Sequence, residues 1–359
     1  MSTSIEELIR SAALKNASDV HLAAGIAPKC RIDGQLENLE EQPLTAADCE
    51  AYAKELAKDQ YDLISSIGEL DLSATIAGER IRINLYREQG TISCALRILH
   101  NRIPNISELG LPPIVSEFPS WQKGIILVTG ETGSGKSTTM ASILNEINHT
   151  RKDHIITLED PIEYLYNPDL CLISQREIGK DTESYADGLR AILREDPDII
   201  LIGEMRDSVT IETALTAAET GHLVFATLHT NSAVDSVDRI VGTFDAARQP
   251  QIRMQLSTTL KAVLSQQLLV KLGGGRAAAC EVMVVTPAIR NQIREGKTPQ
   301  MQSSMLASKN VGSITMDNCL LDMVKRHIIS RETAVEAAVD PEYVKANCGG
   351  FTGHERSVR

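Results

Sequence analysis

The sequence predicts an α/β protein: a mostly parallel sheet covered by helices on both faces, preceded by a small α+β module and followed by a largely helical region. Three observations carry this. From Trp121 to about Gly275, short apolar runs alternate with helical stretches, the order that builds a parallel sheet. The first run, Ile125-Ile126-Leu127-Val128-Thr129, leads through Gly130-Glu131-Thr132-Gly133-Ser134-Gly135-Lys136-Ser137 into a Gly- and Pro-free stretch from Thr138 to Asn148. Over the first hundred residues, short alternating segments lie beside amphipathic helical ones, a pattern of antiparallel strands flanked by helices.

Strand, Gly-x4-Gly-Lys-Ser, helix is a phosphate-binding loop in the context that gives it meaning. The glycines let the backbone curl until its N–H groups point at an anion, and the helix N-terminus adds its positive end. Residues Gly130 to Thr138 are therefore the expected nucleotide cradle. Lys136 is expected to reach the β- and γ-phosphates and the Ser137 hydroxyl to ligate Mg²⁺. A nucleoside triphosphate with Mg²⁺ is the expected ligand.

Composition excludes several alternatives. The 42% hydrophobic and 23% charged content over 359 residues is that of a globular protein large enough for two or three domains. No run approaches the roughly 18 apolar residues of a spanning helix, and Glu6 and Glu7 with no apolar segment do not make a signal peptide. A cytosolic protein is expected. Seven scattered cysteines, none in Cys-x2-Cys, read as reduced thiols rather than a zinc module. The net charge of −12 opposes non-specific attraction to nucleic acid or anionic lipid.

Taken in order, residues 1–100 form the first module. Ile5, Leu8, Ile9, Ala12 and Ala13 repeat at helical spacing. Ser18 to Leu22 alternates as a strand, and Cys30 to Ile32 runs into an Asp33-Gly34 turn. Thr45 reads as the N-cap of a helix carrying Cys49 to Leu56. Three strands follow at Leu70–Ile76, Arg80–Tyr86 and Thr91–Ile98. Four prolines between Asn101 and Pro119 mark a semi-rigid hinge linker, residues 101–119. The core, 120–275, adds strands at His154–Leu158, Ile199–Ile202 and Leu223–Leu228. Residues 276–347 are mainly helical, with helices at Pro287–Glu295, Met316–Lys325 and Arg331–Ala338. A Gly-rich tail from 348 to 359 is expected to be disordered.

Ligands of parallel sheets sit at the carboxyl ends of the strands, so the residues after each strand are the candidates. They are Glu159, Asp160 and Glu163, then Glu204 to Asp207, then His229, Thr230 and Asn231. Glu204, ending a buried strand, is placed to polarise an attacking water. Gly203 precedes it where many P-loop enzymes carry an Asp for Mg²⁺. The metal is therefore expected on Ser137, waters and one of Glu159, Asp160 and Glu163. His222 and His229 bracket one strand and read as sensors of the γ-phosphate or the water. Arg190 and Arg194, four apart on a helical face, form either a salt-bridged surface or a pair of cations reaching a phosphate across a subunit boundary.

Four segments together resemble the Walker A, Asp, Walker B and His boxes of the type II/type IV secretion ATPases. They are Gly130 to Thr139, Thr157 to Glu163, Ile202 to Asp207, and Gly221-His222 through His229-Thr230-Asn231. Ala17 to Leu22 and Ala288 to Glu295 resemble the members of that family that retract type IV pili, and the likeness runs from about residue 5 to 345. It implies a PAS-like first domain, a RecA-like ATPase core and a homohexameric ring with ATP between one core and its neighbour. It implies Arg82 and Arg97, with Arg190 and Arg194, as arginines acting in trans, Glu204 as catalytic glutamate and Glu163 as a second possibility. It further implies work at the inner face of the cytoplasmic membrane on a platform protein, alongside other pilus ATPases, with no nucleic acid and no membrane insertion. Pilus-assembly and secretion motors share the core; a RecA-like DNA translocase and a small-molecule kinase or non-catalytic nucleotide sensor are the competing readings. Assembly motors usually add a long N-terminal domain and a tetra-cysteine zinc module, so retraction fits better. Two positions depart from the family pattern: Glu131 replaces a usual Pro beside the phosphates, and Gln292 replaces a common Leu.

Overall fold

The computed structural model describes residues 3–32, 35–99 and 102–348, which fall into two units. One lies within residues 1–103 and includes Pro161–Leu165; the other takes Pro104–Asp160 and everything from Tyr166.

In the first unit, Ser4 opens α1 (Ile5–Leu14) with a reciprocal capping box to Glu7, and Ile5, Leu8, Ile9 and Ala12 turn inward. Strands β1 (Asp19–Leu22), β2 (Lys29–Ile32) and β3 (Gln35–Asn38) follow. The expected Asp33-Gly34 turn lies outside the described residues. Thr45 and Asp48 cap α2 (Ala46–Ala57) in the same reciprocal way, and α3 (Tyr61–Ile67) ends at left-handed Gly68. Strands β4 (Glu69–Ile76), β5 (Glu79–Glu88) and β6 (Thr91–Leu99) complete an antiparallel sheet in the order β3-β2-β1-β6-β5-β4. Val20, Leu22, Ile81, Ile83, Leu85, Cys94 and Leu96 are buried in one cluster with the apolar residues of α1 and α2. The period of two in β5 leaves Arg82 exposed between Ile81 and Ile83.

The second unit begins with the proline-rich stretch expected as a hinge. It folds instead as two 3₁₀ turns, Ile106–Leu109 and Pro113–Ser120. Val115 and Phe118 are fully buried, and the Phe118 ring packs on Trp121 with centroids 4.8 Å apart. The chain continues through β7 (Gly124–Thr129), α4 (Lys136–Thr150), β8 (His154–Glu159), β9 (Leu172–Glu177), α5 (Tyr185–Ile192), β10 (Ile199–Ile202), α6 (Ser208–Glu219) and β11 (Leu223–Leu228). It then forms α7 (Ala233–Gly242), α8 (Gln249–Thr259), β12 (Leu260–Val270) and β13 (Arg276–Val284). The sheet order is β13-β12-β7-β11-β10-β8-β9, parallel except for the β12–β13 hairpin. Strands β7, β10 and β11 are buried along their whole length. Five further helices follow: α9 (Pro287–Glu295), α10 (Met301–Ala307), α11 (Met316–Lys325), α12 (Arg331–Glu336) and α13 (Pro341–Asn347). Apart from Cys348, the tail expected to be disordered lies outside the described residues.

All seven cysteines are buried and unbridged. Among the described residues, no helix is long and apolar enough to cross a membrane. Phe118→Ala is expected to remove about 3–5 kcal/mol from the stability of the second unit, because it empties a packed site beside α4. Urea unfolding of wild type and variant measures this.

Candidate functional site

The phosphate loop leaves β7 and re-enters regular structure at Lys136. Gly130, Gly133 and Gly135 have φ of 139°, 82° and 92°, where side chains are disfavoured. At two of them space is also closed. A Cβ on Gly130 would stand 2.3 Å from the Gln266 carbonyl oxygen, and one on Gly135 would stand 2.7 Å from Gln266 Nε2. Gln266 is buried on β12; its Nε2 donates to the Ser134 carbonyl at 2.8 Å, and its Oε1 accepts from Thr139 at 2.9 Å. Beside it, Ser265 and Thr129 share a 2.8 Å hydrogen bond between buried hydroxyls. The loop is thus pinned to its neighbouring strand at side-chain as well as backbone level. Lys136 Nζ donates to the Gly130 and Glu131 carbonyls at 2.7 and 2.8 Å, which holds the ammonium against the loop. Ser137 and Thr138 lie in the first turn of α4, with Ser137 exposed. A cavity of about 340 Å³ opens on Glu131 to Ser134, with Asn231 and Gln266 on its wall and Arg276 and Glu336 at its edge. Asn231 Nδ2 donates to the Glu131 carboxylate at 3.4 Å.

Because β7, β11, β10 and β8 are parallel neighbours, their carboxyl ends share one edge of the sheet. Glu204 and His229 follow β10 and β11 at that edge and meet there, His229 Nε2 lying 3.3 Å from Glu204 Oε1. Arg206 closes on the other carboxylate oxygen at 2.7 Å. Burial opposes ionisation of Glu204, but the Arg206 hydrogen bond and the charges of His229 and Arg206 outweigh it and hold the carboxyl below its ordinary range. Thr227 donates to the Gly203 carbonyl, tying the two strand ends together. Gly203 is explained sterically. A Cβ there would stand 2.8 Å from the Tyr185 hydroxyl and 3.0 Å from the Leu158 carbonyl oxygen, so a side chain at this position would crowd both. Burial, and then the carboxylates of Asp160, Glu204 and Glu159, push the Tyr185 phenol up and keep it neutral. Asp207 is structural: it caps α6 by accepting from Val209 N, Thr210 N and the Thr210 hydroxyl.

The other candidates are distributed unevenly. Glu159 ends β8 at the same sheet edge and accepts from Thr157 at 2.7 Å and Gln175 at 3.3 Å; Asp160 follows it, exposed. Glu163 groups with the first unit, as do Arg82 and Arg97. Those two arginines pair across β5 and β6 with both side chains exposed, and Arg97 also holds Asp19 at 2.9 Å. Arg190 lies on α5 in a loose 3.4 Å pair with Asp187. The helix stops at Ile192, so Arg194 stands in the turn beyond it rather than on the same helical face. His222 is not brought to the phosphates of its own chain. It precedes β11, so the six residues of the strand, about 20 Å of extended chain, separate it from His229. There it bonds the Ala217 carbonyl at 2.8 Å and Thr220 at 3.1 Å.

Sequence reading missed Gln266 and Tyr185. The only signal for Gln266 was a polar pair, Gln266-Gln267, inside an otherwise apolar run.

The depressed pKa of Glu204 means its ion pairs stabilise the fold above the ordinary carboxylate range and weaken only as pH falls through the folded value. Arg206→Gln removes the largest lowering contribution and leaves burial, so the Glu204 midpoint is expected to rise. A carbon-13 titration of the glutamate carboxyls in both proteins measures the shift.

Comparison with known proteins fits this geometry. The family model described as Type II/IV secretion system protein matches residues 1–340. The type IV pilus retraction ATPase PilT of Pseudomonas aeruginosa is 44% identical over 94% of this chain and 99% of its own. A twitching motility protein of Neisseria gonorrhoeae is 39% identical over 94% of this chain and 91% of its own. A crystal structure of the pilus retraction motor PilT with bound ADP superposes with a TM-score of 0.90 at 46% identity, covering 95% of this chain and 99% of that one. The chain belongs to the Type II/IV secretion system protein family.

Proposed function

We propose that the protein is an ATP-hydrolysing motor that powers retraction of type IV pili. The observation that carries this reading is the meeting of Glu204 with His229 at the strand ends beside the phosphate loop. Backbone amides of Gly130 to Ser137 hold the phosphates, and Lys136 exchanges its two carbonyl partners for phosphate oxygens when ATP enters. Glu204, kept ionised by Arg206 and His229, polarises the attacking water. His229 holds the carboxylate in place and couples its position to the His229–Asn231 turn.

The residues fit Mg²⁺, a hard cation that takes oxygen ligands. Ser137 offers an exposed hydroxyl at the start of α4, and Glu159 and Asp160 offer carboxylates at the adjoining sheet edge, with Glu163 a further candidate. When bound, the ion neutralises charge on the phosphates. Glu131 adds a carboxylate at the loop, and its bond to Asn231 gives that side chain a resting partner.

In the proposed assembly six copies close a ring, and Arg82 and Arg97, with Arg190 and Arg194, reach the nucleotide of a neighbouring subunit. The exposure of all four suits that role. The ring works in the cytoplasm at the inner face of the membrane, on a platform protein and beside other pilus ATPases, without nucleic acid. Gln292, the departure from the family's common Leu, lies in the Ala288 to Glu295 segment that the resemblance ties to retraction. Its Nε2 donates to Ser304 at 2.9 Å, which adds a hydrogen bond between α9 and α10 to the apolar packing of Ile289, Ile293, Met301 and Met305.

Glu204→Gln is expected to lower phosphate release about 10²- to 10⁴-fold while binding of a fluorescent ADP stays within about threefold. His229→Ala should also lose activity and His222→Ala should keep most of it. Equal losses in the two histidine variants would contradict the assignment. A strain lacking the gene is expected to display surplus pili that do not retract; bald cells would identify an assembly motor instead.

A further inference from the structure

Hairpin β12–β13 carries a second buried polar group for which phosphate binding has no use. Glu281 pairs with Ser265 across the hairpin and is only 3% exposed. Its Oε1 accepts from Ala233 N at 2.8 Å and its Oε2 from Met316 N at 3.4 Å. Ala233 is the first residue of α7 and Met316 the first of α11. One carboxylate therefore bonds the starts of two helices that are 83 residues apart in sequence.

The choice of a carboxylate follows from charge. Each helix start exposes unsatisfied amides and carries about half a positive charge, so two together offer on the order of one unit. Burial drives the Glu281 pKa up, the two backbone bonds pull it down, and Asp235 and Asp317 add repulsion. At α11 the residue at the capping position supplies no cap: the Thr315 hydroxyl accepts from the Asn318 side chain instead. At α7, Ser232 caps the third amide and leaves the first to Glu281. The residues just before Ala233 are His229 to Ser232, the turn whose histidine holds Glu204.

We propose that Glu281 is a positioning residue for the hydrolytic site, clamping the His229–Ser232 turn to the start of α11 so that the C-terminal helices follow the state of the nucleotide. The proposal rests on the reading of the protein as an ATPase. The two strands of the hairpin then act on opposite sides of one site. Gln266 grips the phosphate loop from β12, and Glu281 grips the sensing turn and α11 from the paired β13.

The test uses the full chain and Glu281→Gln, whose amide can accept from only one of the two N–H groups and turns its own NH₂ toward the other. Hydrogen exchange is followed through α7 and α11 with and without MgADP, beside steady-state hydrolysis. In wild type, MgADP is expected to slow exchange at the start of α11. In the variant that protection should disappear and kcat should fall about tenfold or more, with KM and ADP affinity within about twofold. Glu281→Asp, which keeps the charge, should recover part of both and serves in place of the Gln variant if that one does not fold. The proposal is overturned if wild-type α11 shows no response to nucleotide. It is equally overturned if the variant keeps wild-type kcat, or if the fall in kcat only matches the lost folded fraction measured by circular dichroism. Absence of hydrolysis by the wild type would instead count against the ATPase reading, while the exchange response to MgADP would still decide the clamp.

Discussion

Close approach of the phosphate loop to β12 governs much of the second unit. For backbone N–H groups to converge on an anion, the chain between β7 and α4 must curl through left-handed conformations, and at Gly130 and Gly135 it does so against Gln266. Curled backbone with nothing behind it would be free to collapse outward. Gln266 prevents this by bonding Ser134 on one side and Thr139 on the other, inside the core where water does not compete. The requirement reaches further. The strand that carries that glutamine, Leu260–Val270, lies beside β7 and pairs with it in parallel.

The same packing logic shapes the acidic edge. Many P-loop enzymes place an Asp at the end of the strand corresponding to β10; here the Leu158 carbonyl and the Tyr185 hydroxyl occupy the space its Cβ would need. In the proposed site the carboxylates for a metal come from the end of β8, where Glu159 and Asp160 stand. Glu204 is left free for a different role. Its two oxygens are engaged by Arg206 and His229, so its charge and its orientation come from neighbours on its own loop and on the adjacent strand end.

What the sequence made legible and what it hid have physical reasons. The loop, the buried strands β7, β8, β10 and β11, and helices α9 and α11 were readable because each is set by local demands: glycines where φ is positive, apolar runs where both faces are covered, apolar residues at helical spacing where one face is buried. Strand β12 was not, because Thr259 to Val270 contains no Gly or Pro to separate it from the helix before it. In the proline-rich stretch before β7, stiffness was legible and packing was not. Its prolines stiffen 3₁₀ turns that bury Val115 and Phe118. His222 and His229 looked equivalent as brackets of one strand, yet a parallel strand sends its two ends to opposite sides of the sheet. Gln266 and Glu281 act on partners more than 30 residues away in sequence, and only the fold reveals such partners.

In the proposed motor, a nucleotide site that is locally complete in its phosphate loop is served by exposed arginines from a neighbouring copy, so hydrolysis belongs to the ring. The most direct measurement is the rate of ATP hydrolysis per chain across a dilution series, with the native mass determined on the same samples. The rate per chain is expected to rise with formation of a six-membered species and to vanish with the monomer. A monomer that hydrolyses ATP at an unchanged rate per chain on dilution would contradict this.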